Sequence, residues 1–231
     1  MLLFSLTFCA KNDIISKYVK FLGVDRMLAI IDYGAGNLRS VQKACEYVGA
    51  TAEITSDKNK ILAADHVILP GVGAFGDCMS SIKERDLDAC IKEVIANKVP
   101  FLGICLGLQL LFEKSQESPN SEGLGIFKGE IVKIPDNPEL KIPHMGWNSV
   151  TFPKTSPLFE GIDEGSFVYF VHSFYMEPED SSIISATCNY SKELPVALSA
   201  DNVHATQFHP EKSGKVGLRI LKNFVDLGGA K

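Results

Sequence analysis

No two cysteines stand in a Cys-x-x-Cys pair, no apolar run nears the roughly 20 residues of a membrane-spanning helix, and tryptophan occurs once. Each shortage excludes something. Without closely spaced thiols, the six cysteines (9, 45, 78, 90, 105 and 188) suggest neither a zinc knuckle nor a dithiol redox motif. Their scatter along apolar segments fits a reducing, cytoplasmic compartment. Basic residues do not dominate: 23 Lys and Arg against 28 Asp and Glu give a formal net charge of −5, which argues against a nucleic-acid partner. No run is long and apolar enough for a membrane, and there is neither an internal repeat nor a low-complexity tract. What is present is hydrophobic content of 45% in 231 residues, ample for the core of one α/β domain.

The first 26 residues fit the rest poorly. Residues 1–10 are apolar and are followed by Lys11, Asn12 and Asp13, with no basic stretch ahead and a weak cleavage context, so a secretory signal is disfavoured. Residues 14–24 suit a short helix. We read 1–26 as an N-terminal extension of unassigned role, or the product of a misplaced start codon, and 27–231 as one domain.

The chain is organised around Phe101-Leu102-Gly103-Ile104-Cys105-Leu106-Gly107-Leu108-Gln109. Residues 101–104 predict a short buried strand, and 106–112 the start of a helix. Cys105 sits at the junction, flanked as Gly-x-Cys-x-Gly, the thiol version of a nucleophile elbow. Such a turn exposes the thiol at the edge of a sheet. The helix N-terminus favours a thiolate and offers the Leu106 N–H to an oxyanion. The pentapeptide alone fits a buried structural cysteine equally well. A second motif changes the balance. In Phe208-His209-Pro210-Glu211, residues two apart on extended chain share a side, and Pro210 rules out a helix, so Glu211 is placed to orient the His209 imidazole. A thiol needs a base, and the base an orienting acceptor.

Elsewhere, 28–31, 52–54 and 66–69 read as buried strands, with a helix after Asn37, its expected cap, running to about Val48. His66 at a strand start reads as an edge residue. Pro70-Gly71-Val72-Gly73-Ala74-Phe75-Gly76 satisfies Gly-x-Gly-x-x-Gly, but it follows the third strand, and the next strand ends in Cys105 rather than in an acid. It reads better as a loop giving the elbow its second oxyanion donor. Residues 86–98 predict an amphipathic helix with Leu87, Cys90, Ile91 and Val94 inward. Residues 115–122 read as a surface loop. Short strands are expected at 130–134, 149–152, 167–171, 183–187, 196–198 and 203–207, and a last helix over 214–227. Strands alternating with helices, then many short strands, predict an α/β fold with a central mixed sheet and an added antiparallel layer.

Gly-Ile-Cys-Leu-Gly with a later Phe-His-Pro-Glu resembles a class I glutamine amidotransferase domain. Pro143-His144-Met145-Gly146-Trp147-Asn148, Tyr169-Phe170-Val171-His172-Ser173 and Pro70-Gly71-Val72-Gly73 make the resemblance narrower: the glutaminase subunits of imidazole glycerol phosphate synthase. It spans 27 to about 227. It implies a three-layer fold, a mixed, mostly parallel sheet flanked by helices, and glutamine hydrolysis by a Cys105-His209-Glu211 triad without metal or organic cofactor. It implies that Val72 and Gly73 belong to the oxyanion and glutamine-contacting loop, and that Gln109 and the backbone of Ser173 and Phe174 hold the substrate. A tyrosine commonly stands where this chain has Phe174. It also implies a partner, a cyclase subunit built as a (β/α)8 barrel that uses the ammonia in histidine biosynthesis, with Asn37, His144, Trp147, Tyr169 and Lys212 facing it. His172 reads as a hydrogen-bonded structural histidine. Composition alone would put Trp147 in the core. Three rivals remain: a glutaminase of vitamin B6 or aminodeoxychorismate synthesis, a stand-alone γ-glutamyl hydrolase, and a non-catalytic interaction subunit.

Overall fold

The computed structural model describes residues 26–228. The readings for 1–25, Cys9 among them, lie outside that range. Strand and helix alternate through the first half: β1 (Met27–Ile31), α1 (Leu38–Tyr47), β2 (Thr51–Thr55), α2 (Lys58–Ala63), β3 (His66–Gly71), α3 (Phe75–Glu84), α4 (Leu87–Ala96), β4 (Phe101–Cys105) and α5 (Leu106–Gln109). The second half is mostly strand: β5 (Phe112–Ser115), β6 (Phe127–Lys133), β7 (His144–Ser149), β8 (Phe167–His172), β9 (Phe174–Pro178), β10 (Ile184–Tyr190), β11 (Lys192–Ala200) and β12 (Val203–Thr206), closed by α6 (Gly214–Asp226).

Seven strands form the central sheet in the order β10-β11-β12-β4-β3-β1-β2. β2, β1, β3, β4 and β12 run parallel; β11 runs against them, and β10, antiparallel to β11, returns to their direction. Both faces are covered, and the period of two along each strand sorts the side chains. Leu28, Ile30, Ile68, Leu102 and Ile104 pack with Val41 and Cys45 of α1 and Ile220, Leu221 and Phe224 of α6. Ala29, Ile31, Val67, Leu69 and Phe101 pack on the other face with Ile61, Met79, Ile82, Ile91 and Val94 of α2, α3 and α4. This is the expected three-layer α/β fold. A small sheet, β5-β6-β9, and the antiparallel pair β7-β8 are added to it. The register sets Gly71 beside Cys105 and Ile104 beside Thr206, so the C-terminal ends of β3, β4 and β12 open side by side.

Several elements differ from expectation. The helix predicted over 106–112 ends after one turn, and Phe112 begins β5. Leu106, Leu108, Leu110, Leu111 and Phe112 are all buried, and a run apolar on every side carries no period to separate helix from strand. The strand expected at 149–152 lies earlier, at His144–Ser149, because Pro143 and Gly146 disguise it as a turn. α2, α3 and β9 have no counterpart among the expected elements. His66 is not at an edge: β3 lies between β4 and β1, and the ring is buried edge-on against Phe224, with Nε2 2.9 Å from the Leu227 carbonyl. Asn37 occupies the N-cap of α1, but its side chain makes no capping bond. α4 matches its prediction, burying Leu87, Cys90, Ile91 and Val94.

Candidate active site

Cys105 ends β4 at φ 55°, ψ −109°, a left-handed strain that a non-glycine residue keeps only where its surroundings impose it. Close approach explains its neighbours. A Cβ on Gly103 would lie 2.8 Å from the Gly107 carbonyl oxygen, and one on Gly107 would lie 1.9 Å from that of Leu69. The turn is thus pressed into the sheet, and Cys105 is 7% exposed, recessed rather than displayed. The Leu106 N–H opens α5, where no preceding helical carbonyl can take it.

Beside it runs the loop after β3. The Tyr33 hydroxyl donates to the Pro70 carbonyl at 2.9 Å, and the Cys78 thiol to the Val72 carbonyl at 3.6 Å. Burial pushes the Cys78 thiol up, keeping that donor protonated. Cys78 lies on the core side of the loop. Across a trans peptide the Gly73 N–H runs opposite to the Val72 carbonyl, so it points away from the core. Gly73 has φ +105°, which suits glycine alone.

β12 delivers the third component. His209 donates its N–H to the Tyr169 carbonyl at 3.0 Å, and its own carbonyl accepts from Ser213 Oγ at 2.6 Å, fixing its backbone between β8 and α6. Its Nδ1 lies 2.8 Å from Glu211 Oε1, and both side chains are almost fully buried. An ionised carboxylate only accepts, so Nδ1 carries the proton. Nε2 has no hydrogen-bond partner, nor has Glu211 Oε2. Burial pushes the imidazole down, but the Cys105 sulfur and the Glu211 carboxylate outweigh it and raise His209 to about 9. Both neighbours thus favour the protonated ring.

Val72, Gly73, Cys105, Leu106, Gln109, Ser173, Phe174 and His209 all line one cleft of about 290 Å3, together with Glu117, Pro143, Val171 and His172. The other described thiols are not suited to attack: burial pushes up Cys90, and Cys45 and Cys188 to about 12. Gln109 lines the cleft with its amide nitrogen already engaged. Its Nε2 donates inside the protein, to the Phe174 carbonyl at 3.2 Å and to Gln207 Oε1 at 3.1 Å, leaving only its carbonyl for a ligand.

Around the cleft, β7 and β8 pair Met145 with Val171, Trp147 with Tyr169, and Ser149 with Phe167 on one face. Met145, Trp147 and Phe167 are exposed, and Lys212 Nζ stands 5.8 Å over the Tyr169 ring. Asn37 is half-buried in the loop that abuts Pro70. His144 corrects the expected docking set. The register turns it inward with His172; it is 3% exposed and stacks on Tyr190 and Phe170. His172 Nδ1 lies 2.9 Å from the Phe174 carbonyl, and Nε2 3.0 Å from His144 Nδ1. Burial holds both histidines neutral, at about 3 for His172 and about 4 for His144. Sequence reasoning missed Gln207, Glu117, Met145 and Phe167. Glu117 accepts the Phe75 N–H at 2.7 Å. For Gln207 a signal existed: an amide within a run of otherwise core-like residues before the histidine.

Comparisons with known proteins bear on this arrangement. The family profile described as Glutamine amidotransferase class-I matches residues 29–227. Imidazole glycerol phosphate synthase subunit HisH 1 of Methanococcus maripaludis is 52% identical over 204 residues, covering 87% of this chain and all of that protein. Subunit HisH of Syntrophotalea carbinolica is 50% identical over 206 residues, with the same coverage of both. Among solved structures, PurLQS from Thermotoga maritima superposes with a TM-score of 0.69 at 18% identity, over 88% of this chain and 99% of that one, a likeness of fold alone. At this identity over whole relatives, with the profile spanning the cleft, the chain belongs to the class-I glutamine amidotransferases, among the HisH subunits of imidazole glycerol phosphate synthase.

Proposed function

We propose that Cys105, His209 and Glu211 hydrolyse L-glutamine to glutamate and ammonia. The chain is the glutaminase subunit that supplies ammonia to a cyclase subunit in histidine biosynthesis. The observation that supports this residue assignment best is His209, whose Nδ1 is tied to Glu211 while a buried, unpartnered Nε2 shares the cleft with Cys105.

The Cys105 thiolate attacks the side-chain amide carbon. The C–S bond forms and the carbonyl pair moves to oxygen, held by the N–H groups of Leu106 and of the Val72–Gly73 loop. Collapse of this adduct breaks the C–N bond, and the His209 Nε2 proton leaves with ammonia. Water then attacks the γ-glutamyl thioester, His209 takes its proton, and the electron pair of the C–S bond returns to sulfur. Glu211 keeps the imidazole oriented throughout. The Gln109 carbonyl, Ser173 and Phe174 hold the glutamine. Trp147, Tyr169 and Lys212, with Met145 and Phe167, form the face that meets the cyclase. The setting is cytoplasmic; among the described residues no helix is long and apolar enough to cross a membrane. Residues 1–26 precede a single domain, 27–231.

In the complex with the cyclase, Cys105→Ala should cut glutamate release and glutamine-dependent synthesis by at least roughly a thousandfold. Synthesis from added ammonium should persist. Glutamate release at a comparable rate would overturn the assignment.

A further inference from the structure

We propose that Gln207 is a further catalytic residue, its side-chain amide donating a hydrogen bond to the Cys105 sulfur, with Gln109 as its positioning residue. The inference rests on Cys105 being the nucleophile. Gln207 is fully buried, and its Nε2 lies 3.7 Å from Cys105 Sγ. Which end of the amide meets the sulfur is decided by a chain of obligate donors and acceptors. The Phe174 carbonyl can only accept. It takes the His172 Nδ1 proton at 2.9 Å and one Gln109 Nε2 proton at 3.2 Å, filling both lone pairs. That contact fixes the orientation of the Gln109 amide. Its second N–H therefore reaches Gln207 at 3.1 Å and must meet the carbonyl end, Oε1. Gln207 Nε2 is left facing sulfur.

A donor there has a chemical consequence at two points. It stabilises the charge on Cys105 before attack. It also stabilises the charge that returns to sulfur when the C–S bond of the thioester breaks. In the thioester between these points the sulfur is a poorer acceptor, so the contact favours the charged states. Two other groups act on the same sulfur, His209 from the turn after β12 and Tyr33 from the loop after β1, while Glu117 and His172 line the same cleft. Gln207 is a neutral donor among them, and its effect is not tied to its own protonation.

The test is Gln207→Met in the full chain, which keeps volume and removes the donor. Alkylation of Cys105 by iodoacetamide, followed by mass spectrometry of its peptide, should slow roughly tenfold at about pH 7, the scale of one hydrogen bond to a charged atom. At about pH 10, where a thiol ionises unaided, the rate should match the unmodified chain. In the complex, kcat for glutamine should fall roughly tenfold, with KM within about twofold. Unchanged alkylation at both pH values would overturn the proposal, and so would an equal slowing at both, which reports altered access. Should Gln207→Met lose its cooperative melting transition, Gln109→Met, read by alkylation alone, must show the same loss confined to about pH 7. An unchanged rate in that variant overturns the proposal too. Failure of the underlying reading looks different: Cys105 in the unmodified chain would resist alkylation, or Cys105→Ala would still release glutamate.

Discussion

Glu211 gives one carboxylate oxygen to His209 and leaves the other buried without a partner. Its remaining contribution is therefore its charge, which helps hold the imidazole above its ordinary range. Glu211→Gln keeps size and an acceptor for Nδ1–H but removes the charge. Glutamine-dependent kcat in the complex should fall by roughly 10² to 10⁴, the upper figure being that of the matching change in a serine protease, while KM moves little. Steady-state glutamate release measures it. At this scale the placement of the three residues was legible, because an elbow motif sets Cys105 at the end of β4 and a spacing of two sets Glu211 beside His209. Gln207 was not. Its role depends on an amide orientation set by Phe174 and His172, which lie far from it in sequence. The inward turn of His144 was hidden for a related reason: it follows from strand register, and the strand itself had been disguised.

The β4–α5 turn shows what an element can hide. Periodicity predicts α4 and its buried face well, and it predicts β4. It cannot predict that α5 stops after one turn, because the stop comes from β5 pairing with β6, a contact distant in sequence. It does predict how tightly the turn is built, since glycine stands on both sides of Cys105. Gly107→Ala would drive a methyl group to 1.9 Å from the Leu69 carbonyl oxygen, which is backbone of the central sheet and has nowhere to go. The expected cost is about 3 kcal/mol or more, at or above the upper end of overpacking effects, read from urea unfolding. Glutamine hydrolysis should fall with it, since the displaced turn carries Cys105.

Across the whole molecule the histidines oppose one another. Burial lowers His66, His144, His172 and His204, the last to about 4. Each contributes stability that is present above the unfolded value of about 6.5 and lost as pH falls through the folded one. His209 is raised, so its contribution is present below about 6.5 and lost as pH rises through about 9. The melting temperature should therefore fall on both sides of neutrality, more steeply toward acid, by calorimetry between about pH 4 and pH 9.5. A second whole-molecule effect lies at the chain boundary. Arg26 Nη1 donates to the Val225 and Leu227 carbonyls, closing the end of α6 against the start of β1. A chain beginning at Met27 should lose about 1–2 kcal/mol and melt a few degrees below one beginning at Arg26. The strand after Met27 was legible in the sequence; the Arg26 contact was not, because its partner carbonyls lie some 200 positions away. The antiparallel pair β7-β8 carries one last consequence. It stands outside the central sheet, shows an apolar face outward, and holds the main chain of His209 through the Tyr169 carbonyl. The ribbon is thus one of the supports of the imidazole, beside Ser213 and Glu211, and a grip on its outer face should steady the ring without touching it.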